Sequence, residues 1–154
     1  MVSKKQKMIS LFAMNVITCG ALCAVAQLLA IFRGEIPAFS AARYAVNFCV
    51  AYPVACIAGW FIPSERFGLW LCRTLRVKPG FLFGVVMTCG INLIFTLIFS
   101  TIMTWFNAVL MGGQSMAVLI PGVLGSFVPM WLVSSFVSGT LARPFGNWAA
   151  DFVK

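Results

Sequence analysis

Between Lys78 and Arg143 the chain carries no charged residue, and this stretch limits the available folds more than any other feature. In a water-soluble domain roughly a quarter of the residues would be charged. A bilayer accommodates such a run, because its hydrocarbon core is about 30 Å thick and a helix rising about 1.5 Å per residue crosses it in about 20 apolar residues. The run holds two such spans and therefore needs a break. Residues 107–116, "NAVLMGGQSM", read as that break, since paired glycines stand beside the polar Asn107, Gln114 and Ser115. Spans are expected over 81–106 and 121–141, with Pro121 at a first helical position, where its missing N–H costs little.

The first half of the chain offers two more. Residues 8–32 are free of charge after Lys4, Lys5 and Lys7, and residues 39–62 carry only Arg43, near enough to the start to reach the headgroups. The opening lysines, the apolar run and "AVAQ" at 24–27 also imitate a cleavable leader. The run continues to Phe32, however, which favours a span. At 62% hydrophobic and 9% charged residues, the whole chain belongs to the membrane class. The expected fold is an all-α polytopic membrane protein, a single domain of four transmembrane helices.

Charge sets the expected orientation. Lys4, Lys5 and Lys7, then Arg66, Arg73, Arg76 and Lys78, then Arg143 and Lys154 fall on one face of a four-span protein; Arg33 and Arg43 fall on the other. The positive-inside bias puts both termini in the cytoplasm. These positives flank spans, so they read as topology signals and contacts with anionic headgroups, and nucleic acid is not an expected partner. None of the six cysteines lies on an expected outer loop, which argues against a disulfide framework.

Self-similarity runs through the chain. Thr18-Cys19-Gly20 matches Thr88-Cys89-Gly90, Pro53 matches Pro129, and Phe67-Gly68-Leu69-Trp70 matches Phe145-Gly146-Asn147-Trp148. The expectation is two tandem parallel helical-hairpin repeats, 8–78 and 81–154, each ending in a short amphipathic interfacial helix. In the first tail Phe67, Trp70, Leu71, Thr74 and Leu75 share a face opposite Arg66, Arg73 and Arg76, with Ser64 as a plausible N-cap. In the second, Phe145, Trp148, Ala149, Phe152 and Val153 share a face, while Asn147, Asp151 and Lys154 point away. Both tails are expected in the inner headgroup layer.

The segment "NFCVAYPVACIAGWFIPSERFG" at 47–68, after an apolar helix and a short outer loop, resembles the two-helix repeat of a bacterial domain-of-unknown-function family, number 2798, in tandem. The resemblance implies an integral bacterial membrane protein of about this size and brings no activity and no site residues. The second copy departs from the pattern, with "SFVPMWLV" at 126–133.

Chemistry inside the expected spans is sparse. There is no histidine, and Glu35, Glu65 and Asp151 all fall in loops or tails, so neither ion-coupled transport nor acid–base or metal catalysis has its usual groups. No catalytic, cofactor or metal site is expected. Cys19, Cys23, Cys49, Cys56 and Cys89 with eight Met could pass a thiophilic ion, or the thiols could act as small packing residues. Asn15, Gln27, Asn47 and Asn92 either bond across helices or line a polar pathway. Ala51, Ala55 and Gly59, and Gly122, Gly125 and Ser126, permit close helix contact; Pro53 and Pro129 are expected to kink their helices. The expected function is permease-like or channel-like passage of a small solute by a homo-oligomer. The alternative is a non-transporting accessory subunit of a larger membrane complex.

Overall fold

The computed structural model describes residues 4–152, so Val153 and Lys154 of the expected second tail lie outside it. Six α-helices follow one another: α1 (Lys4–Phe32), α2 (Ala41–Phe61), α3 (Ser64–Thr74), α4 (Phe81–Thr104), α5 (Leu119–Val137) and α6 (Arg143–Asp151). No strand occurs among the described residues. Lys4–Phe32, Ala41–Phe61, Phe81–Met111 and Met116–Asp151 are long and apolar enough to cross a membrane, which makes this an all-α polytopic protein.

Two boundaries differ from expectation. The helix does not break at Asn107 but runs on from α4 through a wider turn, Trp105–Met111. Asn107 Nδ2 donates to the Met103 carbonyl at 3.0 Å, so its amide satisfies the helix instead of ending it. The connection shrinks to 112–115, and a single 3-10 turn, Met116–Val118, leads into α5 with Pro121 still in its first turn. At the other end α5 passes into α6 without a break, through a second wide turn, Ser138–Ala142. Pro144 follows at once and can give no N–H to the carbonyl four residues back, and a wide turn carries a helix past such a gap.

The long helices form two antiparallel hairpins, α1 with α2 and α4 with α5, joined where α1 meets α5 and α2 meets α4. The short helices then cross over: α3 packs on α4, and α6 packs on α1. Glycine makes both contacts possible. A Cβ on Gly68 would stand 2.9 Å from the Met87 carbonyl oxygen, and one on Gly146 would stand 3.0 Å from that of Ser10. Ser64, Gly68 and Cys72 form the buried face of α3, so Ser64 is its first helical residue, facing inward, and not the expected N-cap. The rings of Phe67 and Trp70 meet at a tilt with centroids 5.5 Å apart, Phe145 and Trp148 stack at the same distance, and both tryptophans are exposed to the surroundings. Aromatic faces thus point outward to lipid, while small faces point inward to protein. α3 ends with Arg76 in the left-handed region at φ 51, closed by bonds of 3.0 Å from Arg76 N to Arg73 O and from Val77 N to Cys72 O.

Candidate functional site: two cavities and a central closure

In the first hairpin Gln27 acts as a strap. Its Nε2 donates to the Ser40 carbonyl and its Oε1 accepts from Ser40 N, both at 3.0 Å, tying the start of α2 to the end of α1. Lower down, Tyr44 Oη donates to the Gly20 carbonyl at 3.1 Å, and Asn15 Nδ2 approaches Cys56 Sγ at 3.7 Å. The middle of the interface is apolar: Cys19, Leu22 and Cys23 cluster with Ala51 and Ala55.

The second hairpin is held by a polar seam. Asn92, Thr96, Ser100 and Thr104 recur at every fourth position of α4, so they share one helix face. Opposite them on α5 and the wide turn that follows it, Ser138 Oγ donates to Asn92 Oδ1 at 3.2 Å, Thr96 and Ser134 share a hydrogen bond of 2.9 Å, and Ser100 Oγ reaches Met130 Sδ at 3.6 Å. A Cβ on Gly122 would meet Thr104 Cγ2 at 2.7 Å, so the absence of a side chain there permits close contact of the two helices. In lipid each such interhelical bond contributes on the order of 0.6 to 2 kcal/mol. Trp131 Nε1 adds a donor to the Cys89 carbonyl at 2.9 Å.

The hairpins do not meet along their whole length. A cavity of about 1240 Å3 opens at the face that carries the N-terminal end of α1 and the short helices, here the terminal face. Asn15, Thr18, Asn92 and Ser138 line it among apolar side chains, and Lys7, Arg66 and Arg143 stand with Glu65 and Asp151 along its wall. A second cavity, about 400 Å3, opens at the opposite, loop face, lined by Arg33, Glu35, Arg43, Asn47, Asn107 and Ser126 among others. Leu22 and Phe99 border the first cavity and Met103 and Met130 the second, and all four belong to one buried cluster with Cys23. Both cavities therefore stop at the same apolar layer.

Each cavity holds an unpaired amide atom. Asn47 is 3% exposed and its Oδ1 has no hydrogen-bond partner in the protein; Asn92 is 5% exposed and its Nδ2 has none. A buried polar group without a partner costs about 1–3 kcal/mol, so such atoms are uncommon unless something else satisfies them.

The four amides expected in the spans thus divide. Gln27 bonds across the hairpin, Asn15 makes a weak contact with a thiol, and Asn47 and Asn92 each line a cavity while keeping one occluded amide atom without a partner. Pro53 and Pro129 lie inside α2 and α5. Arg73 and Arg76 are exposed on α3 and its C-terminal turn, away from both cavities. Cys19 Sγ lies 3.9 Å from the Ala51 carbonyl, and among the described residues no three His, Cys, Asp or Glu side chains converge as metal ligands. The roles of Arg33 and Arg43 in the loop-face cavity, and the α4–α5 seam, were not expected. The seam had a visible signal in its four-residue period; the arginines had only their position on the charge-poor face. No protein-family model, curated protein or solved structure matches this chain.

Proposed function

We propose that this protein is a small channel-like or permease-like unit, assembled as a homo-oligomer, through which a small solute crosses a bacterial inner membrane. The observation that carries this reading is the pair of cavities on opposite faces of one bundle, each with an unpaired buried amide, parted only by the layer of Leu22, Cys23, Phe99, Met103 and Met130. Apolar constrictions of this kind gate by excluding water, and they open by small rearrangements of flexible side chains such as Met. Passage would be facilitated, because the layer carries no carboxylate and no basic side chain to couple an ion gradient to the solute. With the basic flanks on the inner side, the terminal face is cytoplasmic and the loop face external. The family resemblance of 47–68 is part of the same proposal.

Purified protein in liposomes tests the reading. Stopped-flow swelling with a panel of small polar solutes should exceed that of empty liposomes for at least one solute. No flux across the panel, together with a stoichiometric partner captured by cross-linking in the membrane, would establish the accessory-subunit reading instead. Reporter fusions at Glu35 and Arg73 should fall on opposite sides of the bilayer; finding them on one side defeats the proposed topology.

A further inference from the structure

We infer that the terminal-face cavity is a binding site for an anionic phospholipid, with the phosphate at Arg143 and an acyl chain between the hairpins. Its volume, about 1240 Å3, exceeds the roughly 300–1,000 Å3 of pockets for drug-sized molecules, so it suits a larger guest. Polar side chains stand in its walls, yet they are mostly occupied. Thr18 Oγ1 donates to the Met14 carbonyl at 3.0 Å, Thr88 Oγ1 to the Gly84 carbonyl at 2.8 Å, and Ser138 Oγ to Asn92 Oδ1 at 3.2 Å. Asn92 Nδ2 is occluded, and Asn15 Nδ2 lies against Cys56 Sγ, which leaves Asn15 Oδ1 open among the described wall residues below the rim. Between these positions Leu11, Val54, Phe95 and Ile98 present hydrocarbon. An acyl chain along them therefore strands at most one polar atom.

The charged groups select the head of the ligand. Lys7, Arg66 and Arg143 line the cavity with Glu65 and Asp151, and none of the three cations makes an ion pair or a side-chain hydrogen bond among the described residues. Three cations against two carboxylates leave the rim positive. Lys7, Arg66, Glu65 and Asp151 are exposed, whereas Arg143 is half-buried. A guanidinium held partly out of water without an anion is costly, and a phosphate satisfies it with directional, charge-assisted bonds. Trp70 and Trp148, exposed on the short helices of this face, place the rim at headgroup depth and the apolar walls at acyl depth. Basic pockets between membrane helices recognise anionic headgroups in this way. The site does not depend on the proposed passage; where that passage operates, the lipid stands in its terminal-face mouth.

Native mass spectrometry of the purified, detergent-solubilised protein tests the site with three probes: phosphatidylglycerol, phosphatidylcholine, and glycerol 3-phosphate, which has the anion without the chains. Phosphatidylglycerol should bind saturably, about tenfold tighter than phosphatidylcholine, and glycerol 3-phosphate should not bind. Arg143→Gln should weaken phosphatidylglycerol about fivefold, whereas Arg73→Gln, exposed on α3 away from the cavity, should leave it unchanged. Ile98→Trp, which fills the apolar part of the cavity and alters no charge, should weaken both lipids. Equal binding of the two phospholipids, or equal losses at Arg73 and Arg143, reduces the rim to diffuse surface charge and overturns the assignment. Glycerol 3-phosphate binding as tightly as the lipid would make this a site for free phosphates, and unchanged lipid binding in Ile98→Trp would put the chain elsewhere; either result refutes it. None of these measurements involves flux, so they decide the site whether or not liposomes show solute passage.

Discussion

Adding a single methyl group at Gly68 tests the cross-docking of the short helices most directly. The new Cβ would lie 2.9 Å from the Met87 carbonyl oxygen and 3.1 Å from Ile91 Cγ1, on the face where α3 meets α4. Even a close C–H···O contact keeps carbon and oxygen about 3.3–3.6 Å apart. The carbonyl belongs to a helix backbone, so α3 must move away from α4, and the two backbones are equally close at Gly90, whose own Cβ would stand 3.2 Å from Gly68 Cα. Overpacking of this kind costs about 1–3 kcal/mol, against which alanine returns about 0.5–1 kcal/mol of helix preference. Gly68→Ala should therefore destabilise by up to about 2.5 kcal/mol. Gly84 is the matched control, because it sits in α4 and a Cβ there meets nothing within 4 Å. Gly84→Ala should stabilise by about 0.5–1 kcal/mol. Reversible unfolding in mixed micelles, followed by tryptophan fluorescence, reads both variants. If Gly68→Ala proves as stable as Gly84→Ala, α3 is not docked on α4 through this face.

Other perturbations probe other parts of the bundle. A double-mutant cycle of Thr96→Val and Ser134→Ala should return a coupling of about 0.6–1.7 kcal/mol by the same unfolding assay, and a coupling near zero would mean the 2.9 Å bond does not hold the hairpin together. Arg76→Gly should raise the unfolding midpoint, because a left-handed conformation costs a non-glycine residue about 1–2 kcal/mol; a lowered midpoint would show that the guanidinium contributes more than the backbone strain removes. Phe99→Ala, in the layer between the cavities, should raise liposome flux of a permeating solute severalfold, and unchanged flux would place the barrier elsewhere.

The four crossings were legible because their signal is simple: a membrane excludes charge, and the charge-free runs are the helices. The hairpin order and the two proline positions follow from the same runs. The docking of the tails was less legible, for a physical reason. The helical wheel places Phe67, Trp70, Phe145 and Trp148 on the face expected in the headgroup layer and gives no sign that small residues beside them dock on a span. In lipid an apolar face gains nothing by leaving its surroundings for protein, whereas close approach of backbones does, so Ser64, Gly68 and Gly146 face inward. Asn107 misled because a polar side chain in an apolar run reads as a turn, and here it bonds to its own helix. The loop-face arginines could not be assigned to a cavity at all from sequence, since that requires knowing which helix faces enclose it.

The pairing of α6 with α1 has a consequence for biogenesis. Ser10 and Met14 are translated well before Gly146, so the surface that covers them is made only after all four crossings. At usual elongation rates that interval is on the order of ten seconds, during which one flank of α1 lacks the cover that α6 later gives it. A translocon chaperone, or a neighbouring nascent copy, has that window in which to occupy it.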